Sequence, residues 1–205
     1  DDPMFGPKVV PHSIDTFVGV LPALVQAGGI MHKMRNIIFT FLIIVVSNLV
    51  FSNSFSRDNN NRLSIGIGQF NFMEDGTPPH KDQSQMMNME LQSGKKMFNL
   101  IKPFAGFLYT TENTYYAYGG FGIDGYYGKR KNWVLTPALA CGYYNSGHEI
   151  KAGNPLEFYI GIDLFYRFRN NARVGFGIFH ISNADSGYRN PGSETLILKY
   201  QMPLD

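Results

Sequence analysis

Between residues 155 and 169 apolar and polar side chains alternate. Leu156, Phe158, Ile160, Ile162, Leu164, Tyr166 and Phe168 share one face; Glu157, Tyr159, Gly161, Asp163, Phe165 and Arg167 share the other. A period of two marks a strand with unlike faces. The pattern recurs, and after residue 56 no stretch shows a convincing 3.6-residue apolar period. The chain therefore predicts eight strands, at 62–72, 86–93, 97–110, 114–127, 132–144, 155–169, 172–183 and 193–202. At 132–144, Trp133, Leu135, Leu139, Cys141 and Tyr143 oppose Thr136, Ala138, Ala140 and Gly142. At 114–127, Tyr115, Ala117, Phe121 and Ile123 oppose Gly120, Gly122 and Asp124. Only 97–110 is ambiguous, because Pro103 interrupts a run apolar on both faces.

Two barrels fit this pattern: a soluble one with its greasy face inward and a membrane one with that face outward. The connections after the even strands are short and polar (SGKK, GKRKN, RNNA), whereas those after odd strands include long, irregular segments at 73–85 and 145–154. Short turns on one rim and long loops on the other characterise outer-membrane barrels, whose strands cross the bilayer at a tilt. Glycines on the inner face suit a narrow barrel filled by its own side chains. The expected fold is all-β, an eight-stranded antiparallel outer-membrane β-barrel. Glu157, Asp163, Arg167 and Arg173 are then expected to form ion pairs in its lumen.

Upstream, residues 37–51 form an apolar run preceded by Lys33 and Arg35 and followed by the small-residue stretch SNSFS. That order is the one a secretory signal has, and the run is shorter than the ~20 residues of a spanning helix. The expected organisation is an untranslated or unstructured extension at 1–33, a signal peptide at 34–56 and the barrel at 57–205. Composition agrees: 44% hydrophobic and 15% aromatic residues exclude a disordered chain. A net charge of +2 excludes a nucleic-acid-binding protein with a strongly basic face. The single Cys141 cannot form an internal disulfide, and no zinc-type Cys/His spacing exists. His148-Glu149 lacks the second His of a zinc helix and reads as a solvated loop pair. The glycine run at 119–125 lies within a strand, away from any strand-to-helix turn that would cradle phosphate. No metal or cofactor is expected. Lys129-Arg130-Lys131 reads as a basic turn at the inner rim, with anionic headgroups within reach.

One hairpin does not suit a passive barrel. His180 and Ser182 fall in phase with Val174, Phe176 and Ile178 on the greasy face, and Glu194 falls with Leu196, Leu198 and Tyr200. Polar groups toward lipid are costly unless they pair or serve a purpose. If the hairpin is symmetric about Gly187, His180 and Glu194 face each other with Cβ atoms ~5 Å apart. Ser182 then lies ~6.6 Å along the strand from His180. A Ser nucleophile, His base and carboxylate orienter together activate a weak nucleophile. From spacing alone, a rim hairpin whose polar residues meet headgroups stays open beside this reading.

The stretch His180-Ile-Ser182-Asn183-Ala184, followed by Asn190-Pro-Gly and Glu194, resembles the active-site hairpin of the lipid A 3-O-deacylases, the PagL-type outer-membrane esterases. The resemblance implies an eight-stranded barrel with a Ser-His-Glu triad on its outer wall. His180 would be the base, Ser182 the nucleophile and Glu194 the third member, with Asn183 and Asn190 near the oxyanion position. It further implies lipid A or lipopolysaccharide as substrate and a location in the bacterial outer membrane, with the hairpin near the extracellular rim. Asp185 departs from the family pattern, which more often has Gly there, and the chain runs past the aromatic Tyr200 with Gln-Met-Pro-Leu-Asp. The alternatives are a non-catalytic barrel acting in adhesion or envelope structure and a soluble secreted lipid carrier.

Overall fold

The computed structural model describes residues 58–73 and 83–204; the expected extension at 1–33 and signal at 34–56 lie outside them. The strands are β1 (Asn61–Phe70), β2 (Ser84–Gln92), β3 (Ile101–Thr110), β4 (Tyr115–Ile123), β5 (Gly125–Tyr127), β6 (Trp133–Asn145), β7 (Leu156–Arg167), β8 (Arg173–Ser182) and β9 (Ser193–Leu204). Each pairs antiparallel with its neighbour, β1 pairs with β9, and both β4 and β5 pair with β6, so the sheet closes. β4 and β5 are one barrel strand broken at Asp124, which makes the closed barrel eight-stranded. The break falls where Asp124 turns inward: one carboxylate oxygen meets Lys102 Nζ and an Arg173 nitrogen, each at 3.0 Å, and the other accepts from Thr136 Oγ1 at 2.9 Å.

The outer wall is apolar. Met87 (69% exposed) and Phe176 (64%) lie on it with Ile67, Leu139 and Leu198, whereas Arg62, Arg173, Lys102, Lys199 and Tyr116 are buried inside. A soluble barrel has the reverse arrangement, and apolar surface of this extent suits lipid. The lumen is filled by two ionic clusters and an aromatic stack. In one cluster Lys199 Nζ reaches Glu90 and Asp163, both at 2.9 Å. In the other, Asp58 and Asp124 hold Arg62, Lys102 and Arg173. Tyr116 stacks on Tyr118, Tyr118 on Tyr159, and Tyr159 meets Phe179. Glycine is needed beneath this stack, since a Cβ at Gly106 would lie 2.5 Å from Tyr118 Cζ.

Three expectations need correction. The third strand begins at Ile101, because Met97 pairs with Ile101 across a tight turn in which Phe98 and Asn99 take positive φ. Pro103 lies near that turn, one residue beyond the Gln92–Phe104 pair that ends the β2 register. Of the four expected lumen ions, Asp163 and Arg173 form ion pairs but Glu157 and Arg167 do not among the described residues. Glu157 is buried in register with Gly142, six residues along β7 from the Asp163 that meets Lys199, while Arg167 lies over the Tyr126 ring at 5.3 Å. Glu149 is not solvated: its loop folds inward with Ile150, and the carboxylate accepts from Thr110 Oγ1 at 2.9 Å.

Candidate active site

The β8–β9 ladder sets His180 directly opposite Glu194 and Ile181 opposite Ser193. Alternation sends Phe179, Ile181, Thr195 and Ile197 into the lumen, which leaves His180, Ser182 and Glu194 on the lipid-facing wall. His180 Nδ1 lies 3.1 Å from Glu194 Oε1, with side chains 22% and 27% exposed. A carboxylate at Nδ1 favours the tautomer with its proton there and leaves Nε2 unprotonated. The ring rests on Gly192, whose φ is +72°; a Cβ there would lie 2.6 Å from His180 Cε1. Phe72 N donates to Glu194 O at 2.9 Å, fixing the start of β9 to the chain leaving β1.

Ser182 ends β8 on the same face, in register with Phe158 of β7. Among the described residues no hydrogen bond joins its hydroxyl to the His180 ring. The structure thus brings His180 and Glu194 into contact and leaves Ser182 one step along the wall.

Asn183 and Asn190 organise the loop that follows. Asn183 is fully buried and points inward, its amide nitrogen donating to Ala152 O and Arg189 O, both at 2.7 Å. Its backbone N–H donates to Asn190 Oδ1 at 3.1 Å, and its carbonyl accepts from Ser186 N and Oγ. Asn190 Nδ2 donates to Asp185 Oδ1 at 2.9 Å. Ala184 and Asp185 have φ of 52° and 63°, the left-handed region that glycine occupies most easily. A positive φ at Asp185 accounts physically for a glycine preference there, and the carboxylate adds a bond that glycine cannot make.

Sequence reasoning missed Gly192 as the bed of the imidazole, although the Asn-Pro-Gly stretch contained it. It also missed the loop at 146–155. There Ala152 accepts from Asn183, Asn154 Nδ2 donates to Ser186 Oγ at 3.2 Å, and Gly153 packs on the Arg189 backbone. Neither hydrophobic period nor motif spacing signals such a contact between loops.

A closed eight-stranded barrel with an apolar exterior and polar groups paired on that exterior is a membrane β-barrel of the outer-membrane type. Solved structures of other outer-membrane and transmembrane barrels share the fold. The crystal structure of the outer membrane enzyme PagL matches with a TM-score of 0.54 at 17% identity, covering 70% of this chain and 99% of that one. A de novo designed transmembrane β-barrel matches with a TM-score of 0.50 at 9% identity, covering 73% and 99%. The family model for lipid A 3-O-deacylase (PagL) matches residues 80–203, more than half of the sequence, and the chain belongs to that family. No curated protein matches it.

Proposed function

We propose that the protein is an outer-membrane esterase that removes the 3-O-linked acyl chain of lipid A. The observation that carries this reading is the His180–Glu194 pair on the lipid-facing wall, one strand step from Ser182. A barrel of purely structural role has no need of a charged partner for an imidazole facing lipid. In the scheme, rotation of the Ser182 side chain brings Oγ to His180 Nε2. Oγ attacks the ester carbonyl as Nε2 takes its proton, and Glu194 holds the imidazolium that forms. The tetrahedral intermediate collapses, His180 returns the proton to the leaving sugar hydroxyl, and water activated by His180 then hydrolyses the acyl-enzyme. Asn183 holds the backbone after the nucleophile. Asn190 has one amide hydrogen on Asp185 and the other available to a developing oxyanion. With the termini of the barrel in the periplasm, the hairpin lies at the extracellular rim, at the height of outer-leaflet lipid A.

The test is mass spectrometry of lipid A incubated with the purified, folded protein. Release of the 3-hydroxy fatty acid should fall to near background in Ser182→Ala and His180→Ala and less far in Glu194→Ala, which bonds to no substrate atom. Unchanged release by folded Ser182→Ala would end the enzyme reading. The second reading is a non-catalytic barrel in adhesion or envelope structure, favoured by the missing Ser182–His180 hydrogen bond. It requires that the unmutated protein release no fatty acid.

A further inference from the structure

The rim opposite the site hairpin carries a different chemistry. It is made by the strand ends at Asn61 and Leu204 and by the turns at 93–100, 128–132 and 168–172. Those turns contain Lys95, Lys96, Lys129, Arg130, Lys131 and Arg169, with no Asp or Glu among them. The connections at the site rim mix Glu112, Glu149 and Asp185 with Lys151 and Arg189. Asp58, the described carboxylate next to β1, is buried against Arg62 and Arg173. Lys95, Lys129, Arg130, Lys131 and Arg169 are exposed, and among the described residues no carboxylate pairs with them.

The cations sit beside an aromatic belt. Trp133 pairs in register with Tyr166 and meets it edge-on at 5.4 Å, Tyr166 meets Phe168 at 5.4 Å, and Phe98 is 86% exposed. Exposed aromatics of this kind mark the depth of lipid headgroups. The three turns, one for each hairpin β2–β3, β5–β6 and β7–β8, occupy every side of this rim except the β1–β9 ends, so the charge is spread around the circumference rather than gathered in a patch. A ring at headgroup depth suits many small anions around the circumference, and a single macromolecule would need one contiguous face. We propose that this rim binds anionic phospholipid headgroups of the leaflet opposite the site hairpin, through phosphate contacts with the turn cations. The proposal does not depend on the esterase reading.

The single tryptophan of the chain, Trp133, lies at this rim next to the 128–132 turn and so reports on the lipid there. The purified full chain would be reconstituted in nanodiscs of phosphatidylcholine and phosphatidylglycerol in equal parts, with bromine on the chains of one lipid or the other. Brominated phosphatidylglycerol should quench Trp133 as though enriched about 5-fold over phosphatidylcholine, the scale of one basic side chain at an anionic surface. Raised salt should reduce the preference. The triple variant Lys129→Ser, Arg130→Ser, Lys131→Ser should lose most of it while keeping the heat-dependent gel mobility of a folded barrel.

Locality is the second arm. Lys95→Ser with Lys96→Ser lies on the β2–β3 hairpin, neither strand of which pairs with β6, and should leave Trp133 quenching unchanged, whereas Arg169→Ser, on the turn after β7, whose Tyr166 pairs with Trp133, should lower the preference. Equal quenching by both lipids in the unmutated protein would overturn the proposal, as would a preference that survives the triple variant. An equal loss in the Lys95/Lys96 variant would overturn it too, by reducing the effect to net charge. Inorganic phosphate should compete no better than chloride at equal ionic strength; stronger competition would make the rim a site for soluble phosphate instead.

Discussion

Gly192→Ala tests whether the imidazole must lie where it does. At φ +72° an alanine takes on left-handed strain of about 1–2 kcal/mol. Its Cβ would lie 2.6 Å from His180 Cε1, and restoring an ordinary 3.4 Å contact moves the ring by about 0.8 Å. That displacement is large beside the 3.1 Å His180–Glu194 bond, and under the proposed mechanism it shifts Nε2 relative to the Ser182 hydroxyl. A misplacement of ~1 Å can cost about 10²-fold in rate. Gly192→Ala should therefore lower kcat for fatty-acid release by about 10²-fold with KM little changed, and destabilise the barrel by about 1–2 kcal/mol. Gly128→Ala supplies the control, because Gly128 has φ +82° at the opposite rim and its added Cβ would face only Asn132 Oδ1, at 3.3 Å, and Trp133. It should show similar strain with kcat unchanged. Full kcat in Gly192→Ala, or an equal loss in Gly128→Ala, would refute the positioning argument.

Asp185→Ala removes the acceptor for Asn190 Nδ2 and should lower kcat roughly 10-fold, whereas Asp185→Asn keeps an acceptor, tolerates positive φ and should restore most of the rate; steady-state kinetics on lipid A decides. Asn183→Ala loses two buried hydrogen bonds to Ala152 and Arg189 and should destabilise by about 2–3 kcal/mol, seen as earlier thermal unfolding and faster proteolysis within 183–192. Burial pushes the Asp58 carboxyl up, but the charge and hydrogen bond of Arg62, the Asn60 N–H and the charge of Lys102 outweigh it and hold the group well below its ordinary 3.8. A depressed carboxylate stabilises the fold above its unfolded pKa, and that stability drains away as pH falls through the folded value. Urea unfolding of the barrel should thus be level in this contribution above pH 5 and weaken below pH 4, and Asp58→Asn should flatten that acid limb.

A period of two exposed in advance both the strands and their faces, because lipid outside and a packed lumen inside demand opposite chemistry of adjacent residues. The symmetric hairpin about Gly187 implies the His180–Glu194 register, and the β8–β9 ladder has it. The turn at 97–100 was hidden because Met97 and Phe98 are apolar and continue a strand pattern, while the positive φ of Phe98 and Asn99 leaves no trace in composition. Lumen partners were hidden for a different reason: closure brings Lys199 to Glu90 and Arg173 to Asp58, pairs more than 100 residues apart. Local pattern carries no information about such contacts.

The same alternation explains how a lipid-facing site can be held rigid from within. At the end of β8, Ser182 points out and the next residue, Asn183, points in. Outside, the bilayer offers Ser182 no fixed polar partner. Inside, Asn183 is tied to the 146–155 loop through Ala152 and to its own loop through Arg189, Asn190 and Ser186. Backbone anchored at 183 is also backbone fixed at 182, one peptide plane away. The buried asparagine is therefore the means by which loops facing water position a hydroxyl facing lipid. Under the proposed mechanism Asn183→Ala carries a sharp expectation: the His180–Glu194 pair, held by the β8–β9 ladder and Gly192, should persist while the rate falls, because only the Ser182 end of the wall has lost its side-chain ties to Ala152 and Arg189. The His180 imidazole nitrogen resonances should keep the signature of the Glu194 bond in that variant and lose it in Gly192→Ala. Loss in both would show that the loop, and not the ladder, holds the imidazole.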